Sequence, residues 1–316
     1  LVIPKLRLLP APFEAWKGGQ VFSGFSMLAN TLVYGIVNSV ILMLVALGFN
    51  LTFGISGVAN FAYGALYILG ALLCWIFFNA VGLPFLMAVI LAVALTAIAG
   101  ALMYRFILLR IRGMALSEVI ATFGIGLAIL ELLKYLGFIG FEYSLPVFMD
   151  DSIEVGQVII DMQRVFIVII GATMAAFLWF FTHHTRTGLR FRGIAQDERT
   201  ALSLGINSDR VAMLSVSFGA AYAAIAAIVI LPLGTINVEQ GYSVLINALA
   251  VCIVGGLGST GGVVLASFLI GYAQTFTVTY LESHWVMLVP LIAILTILVI
   301  KPSGLFGVQK ELEERI

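Results

Sequence analysis

Nine apolar runs, each about twenty residues long, fill most of this chain and limit how it can fold. A helix of that length spans the hydrocarbon core of a bilayer, where each backbone N–H and C=O must be paired within the protein. Only 10% of the residues are charged, against about a quarter in a soluble domain. We therefore predict an all-α, polytopic membrane protein with about eight or nine transmembrane helices. The predicted helices cover residues 29–53, 58–80, 84–108, 114–138, 164–183, 211–233, 243–257, 262–281 and 285–301.

The charged residues lie mainly between the apolar runs and predict the orientation of the helices. Basic residues are retained on the cytoplasmic side during insertion. They cluster at 105–112, 186–210 and 301–310. The acidic segment 139–163 is expected outside. This orientation predicts a transmembrane domain over 29–301, followed by a cytoplasmic tail over 302–316.

The N-terminal end fits this orientation less well. Tracing the helices backwards from Arg105 places the N-terminus outside, whereas the basic residues of segment 1–28 favour the cytoplasm. Two explanations remain open. Part of 54–80 is re-entrant or broken rather than a full span, or segment 1–28 lies along the membrane surface.

The polar segment 186–210, called here the polar island, joins two predicted spans and carries five arginines. Within it, residues 195–204 are predicted to form a short helix with Ala201 and Leu202 near its apolar side. Gly205 is a suitable C-terminal stop for that helix. A loop that only joins two helices needs charge, but it does not need a capped helix with an apolar side. We therefore interpret the polar island as a docking element for a soluble partner.

Two glycine-rich interruptions break the apolar pattern. One contains Gly54 and Gly57, and the other contains Gly255, Gly256 and Gly258. Each precedes a helix with small residues, which let helix backbones approach closely in lipid. We predict broken or re-entrant helices at both places, and a weak two-fold internal relation of the kind found in many transporters.

Polar side chains near the interruptions are candidates for the lining of a cavity. Unwound backbone at membrane depth must line a cavity or be buried in protein. We predict that Ser56, Asn60 and Tyr63 line such a cavity, and Asn247 is a further polar candidate in the seventh run. The alternative for the two amides is a structural hydrogen bond between helices, worth about 1 kcal/mol or less in membranes.

The sequence gives little support for chemistry on this chain. No lysine follows a glycine, so a Gly-Lys-Ser/Thr phosphate loop is impossible. Cys74 and Cys252 match no metal or redox spacing and are expected to be small buried side chains. We predict no metal, no cofactor on this chain, no nucleic-acid partner and no enzymatic activity. Glu131 and Lys134 are expected to pair across one turn of a helix.

Four collinear motifs give the chain a resemblance to a known family, the permease subunits of branched-chain amino-acid ABC importers. The motifs span roughly residues 29 to 307 and lie at 54–64 with 69–71, at 188–210, at 254–261 and at 301–307. The first motif resembles the signature Asn-Phe-Ala-His-Gly-Glu, although Tyr63 and Ala65 stand where that signature has His and Glu. Related permeases for urea and short amides share the architecture, so such a substrate is the nearest alternative.

The resemblance implies a larger assembly in the bacterial inner membrane. This subunit would pair with a second homologous permease within the lipid, and an external solute-binding protein would deliver the substrate. Two ATPase subunits, which carry ATP and Mg²⁺, would bind on the cytoplasmic side. The resemblance makes the polar island the coupling helix seated in an ATPase groove. Its candidate coupling residues are Gly188, Arg190, Arg192, Asp197, Glu198, Arg199, Ala201, Leu202, Gly205, Ile206 and Asn207. The candidate pathway residues are Ser56, Asn60, Tyr63, Gly64 and Asn247.

A different class of function is a secondary transporter driven by Na⁺ or H⁺, or a channel. Proton coupling is usually carried by carboxylates within the membrane. The sequence lacks such residues at mid-membrane depth, and the polar island favours a docked motor. We therefore predict a transport subunit of an ATP-driven importer.

Overall fold

The computed structural model of the protein describes residues 24–57, 59–138, 145, 152–155, 158–234 and 237–307. Most of the predicted N-terminal segment 1–28, much of the acidic segment 139–163 and the end of the tail 302–316 lie outside the described residues.

The described chain is almost entirely helical. The helices are α1 (Gly24–Ser56), α2 (Tyr63–Trp75), α3 (Phe85–Met103), α4 (Leu109–Ile111), α5 (Ala115–Tyr135), α6 (Met162–His184), α7 (Arg186–Gln196), α8 (Glu198–Ser203), α9 (Ser208–Ile230), α10 (Gln240–Gly255), α11 (Thr260–Tyr280) and α12 (Leu288–Ile300). One π-helical turn, Ile76–Ala80, extends α2, and another, Tyr104–Leu108, joins α3 to α4. Short 3-10 turns follow α9 at Leu231–Leu233 and precede α12 at Ser283–Met287. Strands β1 (Ser152–Val155) and β2 (Val158–Asp161) form an antiparallel hairpin before α6.

Eight helical segments of the described chain are long and apolar enough to cross a membrane, and α10 adds a shorter apolar helix of 16 residues. These segments coincide with the nine predicted runs, so the predicted all-α, polytopic fold is confirmed. The second segment begins at Tyr63 rather than at 58, because residues 59–62 form no helix. The chain turns at Gly57, which has a φ of +71°. A helix broken at this point is one of the two explanations considered for the N-terminal end.

Helix α1 lies at the centre of the bundle and packs mainly against α11 and α9. Small residues permit these contacts. A Cβ at Gly271 of α11 would approach Ser39 Oγ to 2.5 Å, and one at Gly48 would approach Tyr222 Cβ of α9 to 2.6 Å. Because lipid tails are as apolar as the side chains, helices associate in a membrane through such close packing.

The periphery of the bundle is apolar as well. Leu86 of α3 is 71% exposed and Val299 of α12 is 86% exposed. Large exposed apolar faces of this kind are suited to lipid or to another membrane subunit.

Several basic groups gather at one end of the bundle. Arg112, just after α4, contacts Asp209 at the start of α9. Arg192 of α7 and Gly258, just after α10, line a common groove at this end. The positive-inside rule makes this the cytoplasmic end. Helix α1 begins at the opposite end, where the hydroxyl of Thr31 lies 3.5 Å from that of Thr279 near the end of α11.

Candidate functional site

The polar island folds as two short helices, α7 and α8, instead of the single helix predicted over 195–204. The break falls at Asp197, whose Oδ1 accepts hydrogen bonds from the backbone N–H groups of Arg199 (2.9 Å) and Thr200 (3.3 Å). An aspartate in this position satisfies the free N–H groups at the start of a new helix. The prediction of one continuous helix is therefore wrong, because Asp197 starts α8 instead of continuing α7.

The end of α8 agrees with the prediction at Gly205. Its φ of +81° lies in the left-handed region that favours glycine. The N–H of Gly205 donates to the Leu202 carbonyl (2.9 Å), and the N–H of Ile206 donates to the Ala201 carbonyl (3.1 Å). This pair of bonds is a Schellman motif, which satisfies the last carbonyls of the helix. Asn207 then caps α9 by accepting from the N–H of Arg210 (2.9 Å).

The inner side of the island is anchored in the bundle. Phe191 is 1% exposed, and its ring lies edge-on to Phe181 of α6 and Phe218 of α9, with centroids 5.8 and 6.2 Å away. Gly188 packs so closely against α6 that a Cβ there would overlap the Phe181 carbonyl oxygen. Ala201 is 3% exposed and belongs to the same buried cluster. The expectation that Ala201 offers an apolar side to a partner is therefore wrong, since its own chain already buries it.

The outer side of the island exposes apolar side chains among arginines. Leu189, Leu202 and Leu204 are 54%, 50% and 76% exposed. We define these three leucines, with their neighbours Arg190, Arg192 and Arg199, as the outer surface of the island. The arginines are exposed too. Leu202 and Ala201 thus lie on different sides of α8, whereas the sequence predicted that both lie on one apolar side.

A cluster around Arg112 joins the island to the α4–α5 turn. The guanidinium donates from Nη2 to Glu198 Oε1 of α8 (2.6 Å), and it also contacts Ser208 and Asp209 at the start of α9. The Ser208 hydroxyl donates to the same Glu198 oxygen at 2.5 Å. From the sequence, Arg112 indicates only the orientation of the helices. Its partners are too distant along the chain for a local pattern to identify them.

The two glycine interruptions meet at the cytoplasmic end. A Cβ at Gly54 would lie 3.2 Å from the Gly258 Cα, and the N–H of Gly258 donates to Asn50 Oδ1 at 2.9 Å. Gly255 accepts at its carbonyl from the N–H of Phe306 at 3.0 Å, and a Cβ at Gly256 would overlap the backbone N of Gly307. Three separate sequence motifs therefore form one backbone junction, and the close approach explains why glycine occupies these positions.

Asn60 and Tyr63, two of the predicted pathway residues around the first interruption, are buried and hydrogen-bonded. Asn60 is 5% exposed, and its Oδ1 accepts from the N–H of Ala62 (3.1 Å). Tyr63 is fully buried and donates its hydroxyl proton to the Val45 carbonyl of α1 (2.7 Å). Gly64 lies directly against the Gly241 backbone at the start of α10. The predicted Ser56 is the last residue of α1.

Asn247 has a different environment, between two other amides and a groove. Its Oδ1 accepts from Gln274 Nε2 of α11 (3.0 Å), and Gln274 Oε1 accepts from Asn38 Nδ2 of α1 (3.2 Å). Asn247 also lines a groove of about 320 Å³ between α1, α2, α9 and α10. Asn38 and Gln274 were missed from the sequence, because three amides on three helices share no local spacing.

A family model described as the permease component of the branched-chain amino acid transport system matches residues 31–298. The chain belongs to this family of permeases. Membership confirms the predicted class of protein, a multi-pass transport subunit of the inner membrane that is not an enzyme.

Curated relatives resemble this permease over most of its length. The high-affinity branched-chain amino acid transport system permease protein BraD of Pseudomonas aeruginosa is 27% identical over 303 residues, which cover 91% of this chain and 97% of that protein. The LivH protein of Escherichia coli K12, with the same description, is 28% identical over 285 residues and covers 84% of this chain and 90% of its own length.

A solved structure shares the fold of the permease. A chain of PsaBC from Streptococcus pneumoniae in complex with Fab aligns with a TM-score of 0.51 and 11% identity, covering 90% of this chain and 98% of that chain. At this identity the likeness concerns the fold alone.

Proposed function

We propose that this permease carries branched-chain amino acids into the cell and that ATP hydrolysis on separate subunits drives the import. The proposal is supported by relatives that match nearly end to end and are described as high-affinity branched-chain amino acid permeases. None of these relatives is described as a permease for urea or amides or as an ion-coupled transporter.

The outer surface of the island supports the proposal that ATPase subunits dock there. Its inner side is held by Phe191 and Ala201, whereas Leu202 and Leu204 remain at least half exposed. Exposed apolar side chains rimmed by polar residues mark interaction sites in many proteins. The five arginines of the island favour an acidic surface on the partner.

The assembly we propose contains two ATPase subunits that bind ATP and Mg²⁺, a second homologous permease and an external solute-binding protein. The second permease would cover exposed apolar faces such as those of α3 and α12. Closure of the ATPases on ATP would move α7 and α8. Phe191 would pass this motion to α6 and α9, while the Arg112 cluster would pass it to the α4–α5 turn. The two-state rocking of a helical bundle is an established route for alternating access.

The substrate path in this proposal runs along α2 and α10. Gly64 and Asn247 would lie beside it, while Asn60 and Tyr63 would fix the start of α2 through their internal hydrogen bonds.

Reconstitution in liposomes tests the proposed function. The permease alone should not take up leucine when a Na⁺ or H⁺ gradient is imposed. Uptake should require its ATPases, the solute-binding protein and ATP on the cytoplasmic side, and urea should not compete. Gradient-driven uptake by the permease alone would contradict ATP-driven import, and competition by urea would contradict the proposed substrate class.

A further inference from the structure

One face of α10 brings three polar side chains into a groove whose other described lining residues are mostly apolar, with Tyr67 of α2 as the exception. Gln240, Ser243, Val244 and Asn247 line the groove at intervals of three and four residues, so they share a side of the helix. The opposite walls are apolar and include Ile41, Leu42, Val45, Ile230 and Leu231. The groove begins beside Leu233, Gly234 and Gln240 at the external end and reaches Asn247 two helical turns deeper.

The chain of amides behind the groove fixes the orientation of Asn247. Asn38 Nδ2 donates to both Gln274 Oε1 (3.2 Å) and the Gly271 carbonyl (3.0 Å), and Gln274 Nε2 donates to Asn247 Oδ1 (3.0 Å). Gln274 is only 5% exposed, so its amide has little freedom to turn. With Oδ1 engaged by a donor, the Nδ2 group of Asn247 remains a hydrogen-bond donor. Within the described residues it donates to no other group.

The groove therefore combines an oriented N–H donor with an aliphatic wall. A ligand that fits both needs a hydrogen-bond acceptor, such as a carboxylate, close to a branched aliphatic group. Among the residues that the structure describes, no charged side chain lines the groove. Neutral donors hold an anion less tightly than a fixed cation does, because they carry no net charge of opposite sign. Weak binding suits a carrier, since a transported molecule must also leave its site.

We propose that this groove is a substrate subsite for aliphatic amino acids. Asn247 binds the substrate carboxylate, and the α1 and α9 walls bind the branched side chain. Asn38 and Gln274 are positioning residues that act through Asn247. The inference rests on the proposed function and adds to it the place and chemistry of a binding step.

Substrate protection of a cysteine tests the subsite. The complete complex would carry Ser243→Cys in a background with Cys74→Ala and Cys252→Ala, and a water-soluble thiol reagent would be applied with increasing leucine. Leucine should slow the modification of the cysteine. Adding Gln274→Leu should raise the leucine concentration for half-maximal protection about fivefold, since it removes one hydrogen bond of about 1 kcal/mol. A Ser283→Cys control in the exposed turn before α12 should react with the same reagent and should not be protected.

The outcomes separate the subsite from the function on which it rests. If the complex imports leucine with ATP but leucine never protects position 243, or if Gln274→Leu leaves protection unchanged, the subsite is wrong and the importer stands. If the complex does not import leucine at all, the proposed function itself is wrong. Size-exclusion chromatography of the purified Gln274→Leu complex in mild detergent distinguishes a local effect from misfolding, because a misfolded permease would not elute with the intact complex.

Discussion

The polar island and the break between α1 and α2 are both polar interruptions of an apolar chain, yet their surroundings differ. In the break, Asn60 and Tyr63 are buried and make hydrogen bonds inside the bundle. In the island, Phe191 buries the inner side while Leu202 and Leu204 stay exposed. The contrast indicates that the break is held inside the bundle, whereas the island keeps an exposed outer side, on which we propose that a partner docks.

The largest effect is expected where the break touches α10. Gly64→Val would force side-chain atoms into the Gly241 backbone, which cannot move without displacing α10. A Cβ there would overlap the Gly241 carbonyl oxygen, so the cost should exceed the range of about 1–3 kcal/mol for ordinary overpacking and prevent folding. The variant should lose most folded protein, as measured by size-exclusion chromatography in mild detergent. Gly124→Val on α5, where a Cβ would meet nothing within 4 Å, is the matched control. Equal yields of both variants would contradict a tightly packed break.

Two neighbouring residues of the island should respond oppositely to the same charge. Ala201→Asp would place an unpaired carboxylate in the buried cluster, which costs about 3–5 kcal/mol. Leu202→Asp would place it on a half-exposed side and should leave stability nearly unchanged. Thermal unfolding of the isolated permease in detergent measures the difference. If Leu202→Asp destabilised the protein as much as Ala201→Asp, the island would have no free outer side.

A moderate effect is expected at Tyr63. Tyr63→Phe keeps the ring against Phe49, at 5.6 Å between centroids, but removes the hydrogen bond to Val45. The loss should be about 1 kcal/mol or less, in line with hydrogen bonds between membrane helices. Unfolding measurements should separate it from Tyr135→Phe, whose residue is 87% exposed and whose change should have no effect. If the two variants had the same stability, the Tyr63 hydroxyl would not stabilise the break, which contradicts the structural role given to it here.

The smallest effect concerns the start of α8. Hydrogen bonds from the Thr200 hydroxyl and backbone N–H groups hold the pKa of Asp197 below its usual range. A lowered pKa stabilises the fold above the ordinary pKa, and that contribution is lost as the pH falls through the folded-state pKa. The amide protection factors of Arg199 and Thr200, which correct for the intrinsic pH dependence of hydrogen exchange, should therefore fall slightly on acidification. Asp197→Asn, which keeps an acceptor but cannot titrate, should abolish that pH dependence, and its persistence would contradict the assignment.

The sequence predicts well whatever depends on local composition. The apolar runs predict the helices, Gly205 ends α8, and Glu131 pairs with Lys134 at 2.9 Å as expected. Cys74 and Cys252 are buried and free. These features follow from hydropathy, backbone conformation or the spacing of one helical turn. Each of these can be recognised from a few neighbouring residues.

What the sequence does not predict depends on contacts between distant segments. The side on which Ala201 lies depends on the break at Asp197, because the break changes the angular position of the α8 residues relative to those of α7. The meeting of Gly54 with Gly258 requires knowledge that α1 and α10 end at the same place. The amides Asn38 and Gln274 are separated by more than two hundred residues, so their pairing depends entirely on how α1 and α11 pack.

Docking of the ATPases on the outer surface of the island is the central claim, and co-purification tests it most directly. The double variant Leu202→Asp with Leu204→Asp should insert and purify like the unmodified permease, because both residues are exposed. It should lose its ATPase partners in mild detergent and lose ATP-driven leucine uptake in liposomes. If the ATPases still co-purify in full amount and uptake is unchanged, the outer surface of the island is not where the motor binds.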